Sequence, residues 1–179
     1  MKSLLRMLIG IAVALHTMAC TNAQESVSSV PSYDALSVLP KKLSVTHSPN
    51  PVTPKLGGAS GLKYTWTYKT TVSSLDESIR IIEFDSFHWT NGHWVFMNYT
   101  GKPFGQKEFA DWYSCPGGQM EPGKPYSDPS NWGGSNDGQG GRILWFYVGL
   151  DPSGRKVQGS AEIVESPAVK GEKNTLNQP

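Results

Sequence analysis

The stretch "FHWTNGHWVF", residues 87–96, decides how the rest of the chain is read. An Asn-Gly pair between apolar runs is the strongest short-range signal for a two-residue β-hairpin, because both central positions of a type I′ turn need positive φ. With Asn91 and Gly92 at the tip, Thr90 opposes His93, Trp89 opposes Trp94, His88 opposes Val95 and Phe87 opposes Phe96. Side chains alternate along a strand. One face therefore carries Phe87, Trp89, Trp94 and Phe96, and the other carries His88, Thr90, His93, Val95 and Met97. The four rings are expected in the core, since each buries about 150–250 Å² and paired rings add about 0.5–1.5 kcal/mol. The histidines are then expected to face solvent. Upstream, Ile82 and Phe84 fall in phase with the histidines, and a bulge near Asp85–Ser86 is expected to bring them onto the tryptophan side.

Period-2 alternation continues outward from the hairpin. In "LKYTWTYKTTV" (62–72), Tyr64, Trp66, Tyr68, Thr70 and Val72 share one face, and lysines and threonines share the other. "RILWFYVGL" (142–150) is apolar on both faces, as a strand covered on both sides would be. "DPSG" (151–154) signals a turn, and the chain returns with Val157, Gly159, Ala161 and Ile163 facing inward. The one helical candidate is "GQKEFADWY", 105–113. These elements predict an all-β fold: a small antiparallel β-sandwich or partly open barrel of about six strands with one short helix.

Lys2 and Arg6 precede a nine-residue apolar run, Met7–Leu15, followed by "HTMACTNAQ". That is the three-part form of a secretory signal, too short to span a bilayer. Thr21 and Ala23 suit a cut that releases Gln24, giving a signal peptide over 1–23. "TMAC" alternatively resembles a bacterial lipobox, giving a signal over 1–19 with Cys20 lipidated, although Thr17 stands where Leu is usual. Export to the periplasm, the outer membrane or the medium of a bacterium is the expectation. A lipid anchor on Cys20 would be the chain's membrane contact. Residues 24–61 are rich in Ser and Pro and read as a tether, with 36–45 apolar enough to dock as an edge strand. Residues 62–165 hold 18 of the 19 aromatics and read as one domain; 166–179 reads as a disordered tail.

Without Lys2 and Arg6 the 16 basic residues become 14 against 15 acidic ones, a net charge of −1. No Lys/Arg run exceeds two residues, which argues against nucleic-acid binding. Cys115 is then left without a partner cysteine. No G-x-S-x-G, H-E-x-x-H or phosphate loop is present, so the chain leans away from enzymes, and no cofactor is implied. Glu83 and Asp85 could form a carboxylate pair on one strand. Asn98-Tyr99-Thr100 is a glycosylation sequon relevant to a eukaryotic source.

Residues 114–141, with eight glycines and four prolines, read as a long structureless loop. Such loops are often functional. Tyr126, Asp128, Asn131 and Trp132 are the candidate recognition cluster within it, because aromatic faces stack on sugars or peptides while Asp and Asn give directional hydrogen bonds. The leading expectation is an extracytoplasmic, non-enzymatic binding domain for a carbohydrate, a peptide or an envelope protein. The alternatives are a periplasmic copper- or zinc-binding lipoprotein using His88, His93 and Met97, and a structural envelope component. "YSCPGGQM", with Cys115 shortly before Met120, is similar to the copper loop of cupredoxins, but Gly118 stands where that family has His, and no His follows His93. The intact mass of the mature protein from its native membrane fraction distinguishes a chain starting at Gln24 from an acylated one starting at Cys20.

Overall fold

A computed structural model describes residues 31–58, 61–98 and 100–169. The signal segment, Cys20, the cut before Gln24 and the tail from 170 lie outside the described residues. The elements, in order, are α1 (Tyr33–Ser37), β1 (Leu43–Ser48), β2 (Lys55–Leu56), β3 (Tyr64–Ser74), β4 (Ile79–Thr90), β5 (His93–Phe96) and β6 (Phe104–Gly105). They continue with α2 (Gln106–Trp112), a 3₁₀ turn (Pro116–Gly118), β7 (Gln119–Met120), β8 (Pro125–Ser135), β9 (Gly141–Leu150) and β10 (Lys156–Glu165).

The architecture is a small all-β sandwich with a short helix. One sheet holds β1, β2, β3 and β8; the other holds β4, β5, β6, β7, β9 and β10. The strands beyond the expected six are the two-residue pairings β2, β6 and β7, and the 11-residue β8.

β8 replaces the structureless loop expected over 114–141. It pairs antiparallel with β3 from Tyr64↔Ser135 to Ser73↔Pro125. Two prolines and a Gly-Gly pair hide its alternation in the sequence, and both prolines have a geometric reason. Among the described residues β8 pairs only with β3, at the edge of its sheet. Pro125 starts the strand, and Pro129 lies where the register slips between Tyr68 and Thr70. Proline lacks the N–H that an inner strand needs, and these are the positions a sheet tolerates it.

The segment read as a tether contributes α1, β1 and β2. Ser32 caps α1 by accepting from the Ala35 amide at 3.2 Å. β1 lies between β3 and β10 and joins the two sheets along one seam. At one end Lys42 N–H donates to Gln158 O (3.0 Å) and Gln158 N–H to Pro40 O (2.8 Å); at the other, Val52 N–H donates to Val164 O (2.9 Å) and Ser166 N–H to Val52 O (2.8 Å). In between, side chains replace the ladder. Asn50 donates to Glu162 O (2.8 Å) and accepts from Val164 N–H (3.1 Å). His47 Nε2 donates to Ala161 O at 3.1 Å. A carbonyl can only accept, so this bond fixes the tautomer: Nδ1 accepts from the Thr70 hydroxyl (3.0 Å), which accepts from Asn131 Nδ2 (3.0 Å).

The main core lies between the sheets. Phe84 is its hub, stacked on Tyr147 at 5.7 Å with an interplanar angle of 4° and met edge-on by Phe109, Trp112 and Tyr113. A second, smaller apolar cluster covers the other face of the β4–β9 sheet: Phe87, Leu144, Phe146 and Val148, closed over by Leu36 of α1. β9 is thus buried on both faces, as its composition implied.

The seam requires Gly159, where an added Cβ would lie 2.5 Å from Leu43 Cβ and 2.6 Å from Leu43 O. Gly159→Ala is expected to lower unfolding free energy by about 1–3 kcal/mol, the usual cost of overpacking, as read by urea denaturation.

Candidate functional site

The hairpin forms in the expected register, with Trp89 opposite Trp94 and Phe87 opposite Phe96, and its turn residues Asn91 and Gly92 at φ of 51° and 86°. Its faces are the reverse of expectation. The bulge lies between Ile81 and Glu83, not at Asp85–Ser86. An extra residue there shifts the alternation by one, so Ile79, Ile81 and Phe84 enter the main core. Beyond it the same parity carries on through His88, which pairs with Ile143 of the main-core face. The ring face belongs to the second cluster, outside the sandwich.

That cluster is not sealed. Phe87 is buried, but Trp89 is 40% exposed, and Trp94 and Phe96 are partly exposed. Together with Tyr33 of α1 they line an open groove of about 910 Å³. The rings are held in place. Trp89 meets Trp94 edge-to-face at 5.1 Å, and Tyr33 packs against Phe87 and Trp94 at 6.4 and 6.3 Å. The Arg142 guanidinium lies over both indoles, 4.7 Å from Trp89 and 5.4 Å from Trp94. Glu162 fixes that guanidinium from the side, accepting from Nε at 2.6 Å and Nη2 at 2.9 Å. The pair holds the Glu162 carboxyl below its usual range and raises Arg142. Asp34 and His93 supply further polar groups to the groove.

The four loop candidates do not converge. Tyr126 and Asn131 point into the sandwich, 5% and 6% exposed. Tyr126 OH donates to Glu121 Oε1 at 3.3 Å, and Asn131 serves the seam through Thr70. Asp128 is half-buried, accepts from Ser130 N–H at 3.0 Å, and has its pKa raised by burial. Trp132 sits on the opposite face of β8, 49% exposed. Strand alternation, resumed after the slip at Pro129, separates them.

The metal candidates are also dispersed. His88 is half-buried and its pKa is lowered by burial; His93 is exposed, with Nδ1 donating to Asn91 O at 3.2 Å; Met97 is exposed. Among the described residues no group of three or more His, Cys, Asp or Glu side chains could hold a metal ion. Cys115 and Met120 are both fully buried, and burial pushes the Cys115 thiol up to about 11. Glu83 and Asp85 have separate partners: Lys156 at 3.9 Å for Glu83, the Ser86 amide at 2.7 Å and the Asn98 side chain for Asp85. The amide nitrogen of Asn98, the sequon residue, is therefore engaged with Asp85.

Tyr33, Asp34 and Arg142 line the groove and Glu162 holds Arg142 from the side; none of the four was a site candidate in the sequence. The "DPSG" turn gives the β9–β10 register that places Arg142 and Glu162 near each other. Their position beside Trp89 depends on β9 pairing with β4, a long-range choice. No protein-family model, curated protein or solved structure matches this chain.

Glu165, the last residue of β10, is a buried carboxyl whose Oε1 has no hydrogen-bond partner among the described residues. It sits against Gly133, where a Cβ would lie 2.0 Å from that oxygen. Burial raises its pKa from 4.5 to about 7. Between those values the folded state holds more protons than the unfolded one, so stability falls as pH rises through the window. Glu165→Gln is expected to match the parent protein below the window and to exceed it above pH 7 by up to about 3 kcal/mol, measured as unfolding free energy against pH.

Proposed function

We propose that this chain is an exported, non-enzymatic binding domain that holds a carbohydrate in the groove formed by Tyr33, Trp89, Trp94, Phe96 and Arg142. The observation that carries the reading is the state of Trp89: 40% exposed, yet fixed by Trp94 on one side and the Arg142 guanidinium on another. A contiguous group of partly exposed rings is the mark of a binding surface, and rings already held in place bind with little loss of side-chain entropy. Flat indole and phenol faces suit the C–H faces of sugar rings, while Asp34, Arg142 and His93 offer the few directed polar groups a ligand site needs. The groove has the open form and volume of a ligand cleft. The signal-like segment over 1–23 supports export, and a lipid on Cys20 would make the domain a surface-tethered receptor.

The test is polysaccharide binding by the full mature chain, followed by affinity electrophoresis and tryptophan fluorescence. Trp89→Ala is expected to weaken binding about 30-fold or more, the size of a hot-spot loss of about 2 kcal/mol. Trp132→Ala, on the other sheet, is expected to leave binding unchanged. Equal loss in both variants, or loss in Trp132→Ala alone, sinks the assignment of the groove.

A further inference from the structure

Resting on the reading of the groove as a carbohydrate seat, we propose that the Arg142–Glu162 pair sets its specificity, selecting uncharged sugar units with adjacent hydroxyls over acidic or amino sugars. A guanidinium carries five N–H donors in a planar fork. Glu162 takes the Nε and Nη2 side, and among the described residues Nη1 has no partner. The end-on edge, Nη1 with the second N–H of Nη2, is thus left with parallel donors that match two neighbouring oxygens. Because the guanidinium is pinned across both indoles, those donors hold a fixed place beside the Trp89 ring.

Charge then chooses among sugars. Arg142 already places a cation beside Trp89 and Trp94, so the ammonium of an amino sugar would meet like charge there. A uronate would meet a guanidinium whose charge Glu162 has balanced, with the Asp34 carboxylate also lining the groove. His93, which also lines the groove, donates through Nδ1 to Asn91 O, which leaves Nε2 an acceptor in the neutral ring. Donors on Arg142 with acceptors on Asp34 and His93 complement hydroxyl groups, which both accept and donate. An uncharged polyhydroxy unit set against the exposed part of Trp89 would offer partners of both kinds to these groups.

The experiment uses the full mature chain on native gels containing neutral polysaccharides (laminarin, galactomannan, xyloglucan), polygalacturonate or chitosan, at low and high salt. A neutral polymer is expected to retard the protein equally at both salts, because no net charge is neutralised on binding. Arg142→Gln and Arg142→Lys are each expected to lose about tenfold in affinity, the lysine losing the fork while keeping the cation. The circular-dichroism couplet of the Trp89–Trp94 pair verifies that the platform persists in both variants. Glu162→Gln is expected to gain salt-sensitive retardation by polygalacturonate, because Arg142 is then uncompensated. Preference of the parent protein for polygalacturonate or chitosan overturns the specificity. So does unchanged neutral-glycan binding in both Arg142 variants while Trp89→Ala abolishes it, which leaves the carbohydrate seat standing. Retardation by none of the polymers overturns the carbohydrate seat and this proposal together.

Discussion

One extra residue in β4 governs the layout of this protein. Between Ile81 and Glu83 the strand bulges, with two residues opposing one of β9, and every side chain beyond that point changes face. Without the slip, Glu83, Asp85 and Phe87 would share the face of Ile79 and Ile81, putting two carboxylates into the main core. With it, Phe84 enters the core and stacks on Tyr147, while Glu83 and Asp85 turn to the other face, where Asp85 is still buried but accepts from the Ser86 amide and the Asn98 side chain. Burying an unpaired carboxylate costs several kcal/mol, more than one irregularity in a hydrogen-bond ladder. The same shift sends Phe87 and Trp89 to the outer face, where they build a second cluster with β9 and α1. The aromatic groove is therefore a consequence of the parity change that turns Phe84 into the main core and Phe87 and Trp89 out of it.

The sandwich is held shut on one side by an unusual seam. β1 and β10 run parallel and make backbone hydrogen bonds at their two ends, and His47 and Asn50 bridge the middle with side chains. The prolines at 49, 51 and 54 cannot donate, so amide and imidazole groups take over. The chain from Asn131 through Thr70 to His47 continues this network into β3 and β8 and ties both sheets to one hydrogen-bond direction. Burial lowers the His47 pKa, in keeping with a neutral ring that must accept at Nδ1.

The groove combines traits that separate a binding surface from incidental exposure. Its rings come from α1 and the β4–β5 hairpin, and its guanidinium comes from β9. Three segments distant in sequence are thus needed to assemble it, and each is anchored in the folded body. Arg142 is engaged on its flat face by the indoles and on one edge by Glu162, leaving a defined polar edge outward. Rigid rings with a small number of placed donors cost little to organise when a ligand arrives.

Much of this protein was legible in the sequence because the deciding signals are local. The Asn91-Gly92 turn fixes its own pairing through backbone sterics, β3 and β9 announce their faces by composition, and α2 shows its helical period. β8 was masked because proline and glycine are poor strand formers in general but acceptable at an edge and at a register slip, and edge status is a property of the sheet. The candidate cluster of Tyr126, Asp128, Asn131 and Trp132 depended on a loop; once the segment is a strand, alternation divides it. Local chemistry thus determined the all-β class, the hairpin and the helix. Tertiary structure alone decided where β4 changes parity, which face of the hairpin meets water and that Arg142 crosses Trp89. Those outcomes follow from which strands pair and where the β4 ladder slips, and no window of neighbouring residues contains that information.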